Sequence, residues 1–229
     1  MLRRFPPWVS YVVPFAVYLL LTAVEAHDKS HYPLFYSVKI FVTALLAFIL
    51  RPVSATSSPA PAGKLWGWYV VAAVAGVVLN SLWFVIDGIT PHPHWLTAIM
   101  GTRAAFNPYV QIADPVQRIA FLIVRFTGLV VLIPYIEERF YRDFILRYVA
   151  NQDNFQSVAV GSTQPAAVIF STLLFAASHP EWLSAAVFGL AMCVLVRLSK
   201  DIRVCMVAHS ATNLALGVTV IVHHQWQYW

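Results

Sequence analysis

The sequence predicts an all-α membrane protein, a polytopic helix bundle of about seven transmembrane helices, or eight if the stretch 87–118 holds one more. Two observations of composition and one of pattern lead there. Of 229 residues, 59% belong to the hydrophobic set and only 11% are charged, against about 25% charged in a soluble domain. Mean hydropathy is +0.68. Apolar runs approaching the roughly 20 residues of a bilayer crossing recur from end to end. This composition excludes a disordered chain, a collagen and a disulfide-stapled miniprotein. The net charge is +5 and the isoelectric point about 9.4. With so few charges in total, the basic residues serve to orient helices in a lipid bilayer, and no nucleic-acid partner is expected.

The first apolar run, Trp8–Val24, follows Arg3 and Arg4 and ends in Val24-Glu25-Ala26. That pattern also fits a cleavable signal peptide, although membrane anchoring alone accounts for it. Pro33–Leu50 is the second run, and Ser54–Gly63 (SATSSPAPAG) then reads as a flexible linker before the third, Leu65–Ile86. Asp87–Arg118 is longer and semi-polar, with Trp95, Ile99, Met100 and Phe106 among prolines, and fits either an interfacial helix or a re-entrant loop. Ile119–Ile136 is the fourth run, and a helical continuation to about Ala150 would bring its polar end level with later spans. A polar loop, Asn151–Thr163, closes at Pro165. Pro165–Ser178, Trp182–Leu198 and Val204–Val222 complete the set. No internal repeat is visible, which argues against an inverted-repeat transporter.

Basic residues orient these runs. Arg3, Arg4, Arg51, Lys64, Arg139, Arg142, Arg147, Arg197, Lys200 and Arg203 fall on one set of connections, and Lys29, Arg103 and Arg118 on the other. The asymmetry puts the N-terminus in the cytoplasm and the C-terminus outside. Lys39 and Arg125 sit inside runs near the outer edge, where snorkelling to the interface is expected. Cys193 and Cys205 have neither a CxxC nor a metal-ligand spacing and read as buried thiols.

Ionisable groups inside an apolar bundle are costly, so each is a functional hypothesis. Glu137 and Glu138 continue the fourth run. Neighbours on a helix point about 100° apart, so the two cannot share one cavity squarely. Glu138 and Arg142 stand at i,i+4 in the acid-first order that favours an ion pair, which leaves Glu137 to face a cavity. Taken alone, the cluster also fits a solvated helix end. Phe175 and His179 share a face if the fifth helix extends that far, though a histidine beside a proline turn is often only interfacial. His209 and Asn213 lie one turn apart in the last run, where polar side chains also serve as interhelical packing contacts.

In order, Glu137-Glu138-x-x-x-Arg142, Phe175-x-x-x-His179 and His209-x-x-x-Asn213 resemble the CPBP family, the CaaX proteases and bacteriocin-processing proteins. The resemblance covers about the last hundred residues. It divides the chain into N-terminal transmembrane helices with the semi-polar loop, 1–118, and a CPBP-like catalytic helical core, 119–229. Phe106-Asn107-Pro108 and the Glu-Arg-Phe-Tyr-Arg run are similar to CaaX-protease-related proteins of bacterial exosortase systems, which points to a bacterial inner membrane. The resemblance implies an intramembrane glutamic endopeptidase with no cofactor and no metal, acting on a membrane-associated protein or peptide. It implies that Glu137 and His179 activate water, that His209 and Asn213 support the oxyanion, and that Glu138, Arg142 and Phe175 support the site.

The chemistry is coherent without the name. A carboxylate in an apolar pocket becomes a competent base near neutrality, an imidazole can share the water's proton, and amide and imidazole N–H groups can hold an oxyanion. Ser178 and Ser210 adjoin the histidines, but helical neighbours do not face each other and no GxSxG turn is present. A zinc site of Glu137, His179 and His209 is chemically conceivable, yet there is no HExxH. His27, His31, His92, His94, His223 and His224 all fall on the expected outer side, as a metal or pH-sensing patch or, more simply, as interfacial histidines. Two other function classes stay open: a non-catalytic membrane scaffold or immunity protein of the same fold, and a small-solute or proton transporter using the buried groups as a relay.

Overall fold

The computed structural model describes residues 5–27, 31–52, 62–92 and 105–229. Among these residues the chain forms helices and no strand. They are α1 (Val9–His27), α2 (Tyr32–Ile49), α3 (Ala62–Ile89), α4 (Pro108–Gln111), α5 (Pro115–Ala150), α6 (Pro165–Ala176), α7 (Trp182–Ser199) and α8 (Ile202–His223). Five of them, α2, α3, α5, α7 and α8, are long and apolar enough to cross a membrane, and α1 and α6 contain shorter apolar stretches. The protein is a polytopic helical bundle. Leu20, Phe41, Val85, Ile123 and Leu173 face outward, an apolar exterior suited to lipid. Most of Ser54–Gly63 lies outside the described residues, as do His94, Trp95, Ile99 and Met100. Phe106 is buried and stacks on Tyr32, and the side chain of Asn107 caps α4.

The fourth apolar run continues to Ala150, so α5 is a helix of 36 residues. Its hydrogen-bond register changes twice. Wider π segments at Gly128–Leu132 and Arg139–Ile145 flank the α-helical turn Ile133–Glu138. Pro134 accounts for the first, since it has no N–H to give and its ring crowds the carbonyl one turn back. Side chains from other helices take carbonyls within both segments. Asn213 Nδ2 donates to Leu129 O at 2.8 Å, and Ser171 Oγ donates to Tyr141 O at 3.2 Å.

Helix α1 is built into the core. Phe15 stacks on Phe140 at 4.4 Å and meets Tyr141 edge-on, while Tyr11 packs on Phe144 and Phe155. Glu25 is buried and forms an ion pair with Lys39 of α2. Snorkelling therefore does not describe Lys39, nor does it describe Arg125. The Arg125 guanidinium lies 4.6 Å from the Tyr36 ring and 4.9 Å from that of Trp229. Both cations sit on inward faces, where a carboxylate or aromatic faces replace the lost water.

Helices α3 and α8 approach each other closely at the site. Thr212 Oγ1 donates to Gly76 O at 2.9 Å, and a Cβ on Gly76 would overlap Ala208 O. Small residues let two backbones meet in this way. Between α7 and α8, Lys200 adopts φ 57° as the left-handed C-cap of α7, and Asp201 caps α8 by accepting from Arg203 N at 2.9 Å. Cys193 and Cys205 are buried free thiols, as expected.

Candidate active site

The turn Ile133–Glu138 carries both glutamates inward, to 5% and 0% exposure. They do different things. Glu137 lines a cavity of about 90 Å³. Glu138 does not line it; its Oε1 accepts from Arg142 Nη1 at 3.3 Å, the expected i,i+4 pair, even though Arg142 lies in the second π segment. Arg142 also donates to Gly189 O and lies 4.6 Å over the Phe175 ring.

His209 connects the two carboxylates. Its Nδ1 is 2.8 Å from Glu138 Oε1, and its Nε2 is 3.8 Å from Glu137 Oε2. A carboxylate paired with a guanidinium can only accept, so the shared hydrogen belongs on Nδ1 and Nε2 is the nitrogen nearer Glu137. These contacts place the glutamate turn of α5 and His209 of α8 at the same level of the bundle. Sequence spacing could not show the Glu138–His209 contact, because the two residues are 71 positions apart.

Helix α6 stops at Ala176, short of His179. The following turn still keeps the histidine over Phe175, with rings stacked at 4.5 Å and Nδ1 2.9 Å from Phe175 O. A carbonyl can only accept, so Nδ1 carries a hydrogen. Because these residues form a turn, Ser178 Oγ does come within 3.0 Å of His179 Nδ1, contrary to the helical argument. It is not a triad geometry. The Ser178 hydroxyl donates to Phe175 O at 2.7 Å, and the nitrogen it meets already bears a proton.

Asn213 is held by its bond to Leu129 O, which occupies one of its two amide hydrogens. Glu137, His179, His209 and Asn213 thus line one cavity, together with Phe175, Phe188, Thr212 and Leu216. Tyr18 of α1 and Asn80 and Trp83 of α3 line it too. These three carry no motif, and only the rarity of asparagine within an apolar run marks Asn80 in the sequence. Among the described residues, no group of three or more His, Cys, Asp or Glu is placed to hold a metal ion. His31, His92, His223 and His224 are exposed, and His92 meets Asp87 at 3.1 Å.

A second buried ionic group stiffens the C-terminal end of α5. Asp143 pairs with Arg139 at 2.9 Å and with Arg147, and Arg147 also donates to Phe155 O and Gln156 O of the following loop. Asp143 was not singled out in the sequence, although its i,i+4 spacing to Arg147 was available.

Comparison with known families finds a match over part of the chain. Residues 119–215 fit the family model described as type II CAAX prenyl endopeptidase Rce1-like. The matched span begins in α5, ends in α8 and contains all three motifs, in agreement with the resemblance drawn from them. No curated protein and no solved structure matches the chain.

Proposed function

We propose, from the premise that residues 119–215 are the Rce1-like core of a CAAX-type intramembrane protease, that this protein hydrolyses a peptide bond of a membrane-associated protein or peptide by Glu137/His179-activated water. One observation carries the reading: Glu137, His179, His209 and Asn213, drawn from two helices and a turn, line the same small cavity. A water between Glu137 and His179 would lose a proton to the carboxylate as its oxygen adds to the carbonyl carbon. The carbonyl π electrons move to oxygen, where His209 Nε2–H and the second amide hydrogen of Asn213 donate to the oxyanion. For that, His209 carries a hydrogen on each ring nitrogen, Nδ1–H donating to Glu138 and Nε2–H to the oxyanion. The intermediate collapses with cleavage of the C–N bond, and the proton on Glu137 passes to the departing amine. Glu138 and Arg142 orient His209, and Phe175 supports His179 from below.

The reading extends to location. The protein sits in a bacterial inner membrane with its N-terminus in the cytoplasm and its C-terminus outside, on the strength of the Lys/Arg asymmetry. No metal or cofactor is assigned to the mechanism. The decisive experiment measures turnover of an internally quenched farnesylated CAAX peptide by purified wild type and Glu137→Gln. The substitution keeps size and hydrogen bonding but removes proton acceptance, so turnover should fall by about 10²–10⁴ with the fold intact. Undiminished turnover would remove the mechanism, and an inert wild type would favour a scaffold of the same fold. Comparing membrane proteomes of wild-type and Glu137→Gln cells would expose precursors of a natural substrate.

A further inference from the structure

Asn80 lies on α3, outside the segment matched to the family. It is only 7% exposed, yet it lines the cavity, and its Oδ1 is buried without a hydrogen-bond donor among the described residues. Its placement is well defined. Gly76, one turn earlier, is tied to α8 by Thr212, and Thr212 immediately precedes Asn213. Two carboxamides on two clamped helices therefore border one pocket. They are not equivalent, because Asn213 donates to Leu129 O whereas the Asn80 oxygen is an open acceptor.

A peptide entering this cavity brings N–H groups as well as carbonyls, and each leaves water behind. The site already has donors for a carbonyl oxygen in Asn213 and His209. Thr212 Oγ1 is engaged in the helix contact, its single hydrogen shared between Gly76 O and Ala208 O, whereas the Asn80 oxygen has no donor among the described residues. We infer that Asn80 binds the substrate backbone, its Oδ1 accepting the N–H of a peptide bond adjacent to the scissile one. This rests on the peptidase reading and adds to it a contact from the N-terminal helices that fixes the register of the substrate. An extended peptide would be held by a donor on one side of the scissile bond and an acceptor on the other, which distinguishes a backbone from a lipid chain.

The test pairs a change in the protein with a change in the peptide. Wild type, Asn80→Leu and Asn80→Ala are compared on the quenched farnesylated peptide and on analogues in which each non-scissile amide within two residues of the cleaved bond is replaced in turn by an ester. The ester oxygen has no hydrogen to donate. With wild type, one analogue should lose about 10- to 100-fold in kcat/KM, the range expected when a buried polar group loses its partner. Both variants should lose a similar factor on the parent peptide and little more on that analogue. If wild type cleaves every analogue as fast as the parent, or if the variants and the ester act independently, the proposal is overturned. The ester series on wild type gives this answer even if the variants fail to fold. Glu137→Gln serves as the reference: an active wild type with an inactive Glu137→Gln keeps the peptidase reading whatever Asn80 does. A wild type inert on all peptides removes both.

Discussion

Glu138 Oε1 receives both His209 Nδ1 at 2.8 Å and Arg142 Nη1 at 3.3 Å. One carboxylate oxygen thus joins two helices and holds the Nδ1 hydrogen of a cavity histidine. Glu138→Gln should leave Arg142 without its countercharge and offer His209 an amide in place of an acceptor-only group. We expect activity per folded molecule to fall about 10- to 100-fold, as when a group orienting a catalytic residue is lost, with a lower melting temperature. Arg142→Gln in the same chain should restore part of the stability. Activity and thermal melts of the single and double variants in detergent check this, and a Glu138→Gln protein more impaired than Glu137→Gln would exchange the roles of the two glutamates.

Activity is expected to survive chelation. The groups proposed to activate water and to hold the oxyanion are side chains, and no step of the proposal uses a metal. Purified protein stripped with a strong chelator, assayed before and after adding back zinc, should show no dependence. Loss restored by zinc alone would transfer the assignment to metal-assisted hydrolysis.

Gly76 and Gly67 lie on one helix and should respond oppositely. A Cβ at Gly76 would overlap Ala208 O and come within 2.8 Å of Ala211 Cβ, whereas at Gly67 it meets nothing within 4 Å. Gly76→Ala should cost about 1–3 kcal/mol through overpacking and reduce turnover by moving α3 away from α8. Gly67→Ala should be neutral or slightly stabilising, since alanine favours helix by up to about 1 kcal/mol. Melts and turnover of the two variants would separate a close helix contact from a general helix-propensity effect.

Asp201 gives the protein a definable acid response outside the spans. Burial works to raise its pKa, but hydrogen bonds from the Arg203 side chain and backbone outweigh this and hold the carboxyl below its usual value. A carboxylate depressed on folding contributes stability that is present above the unfolded value of about 3.9 and lost as pH falls through the lower folded value. Asp201→Asn keeps a capping side chain but removes the charge. The melting-temperature gap between wild type and Asp201→Asn should therefore be widest near neutrality and close below about pH 4. A gap that widens on acidification would contradict the assignment.

Orientation can be read by labelling. Single cysteines at Ser57 and Gln227, in a background lacking Cys193 and Cys205, should react from opposite sides of the membrane if the Lys/Arg asymmetry sets topology. Equal labelling of both by an impermeant reagent would refute the map.

What could be read in the sequence was local. The i,i+4 spacings of Glu138–Arg142 and His209–Asn213 describe side chains on the same helical faces, and the structure keeps those relations. The apolar runs also foretold the bundle, and levelling the polar end of the fourth run with later spans pointed to the continuation of α5 to Ala150. Contacts across the bundle were not legible, because they depend on how helices rotate against each other. Glu138–His209, Gly76–Thr212 and Lys39–Glu25 are of this kind. Tyr18, Asn80 and Trp83 join the cavity through packing alone. Pro134 was a visible sign of an altered register in α5, but the second π segment, Arg139–Ile145, contains no proline to announce it.

Those two π segments also govern how the gene can vary. Each accommodates one residue more than regular α-helical winding would, on either side of Ile133–Glu138. Deleting one codon in Gly128–Leu132 would let the helix rewind and turn everything on one side of the deletion by about 100° relative to the other. Glu137 would then leave the cavity without any cavity-lining residue having been replaced. A compensating codon inserted between the deletion and Glu137 could restore its bearing. Length changes in α5 should therefore be tolerated only as matched pairs, even where single substitutions on its lipid-facing side are harmless.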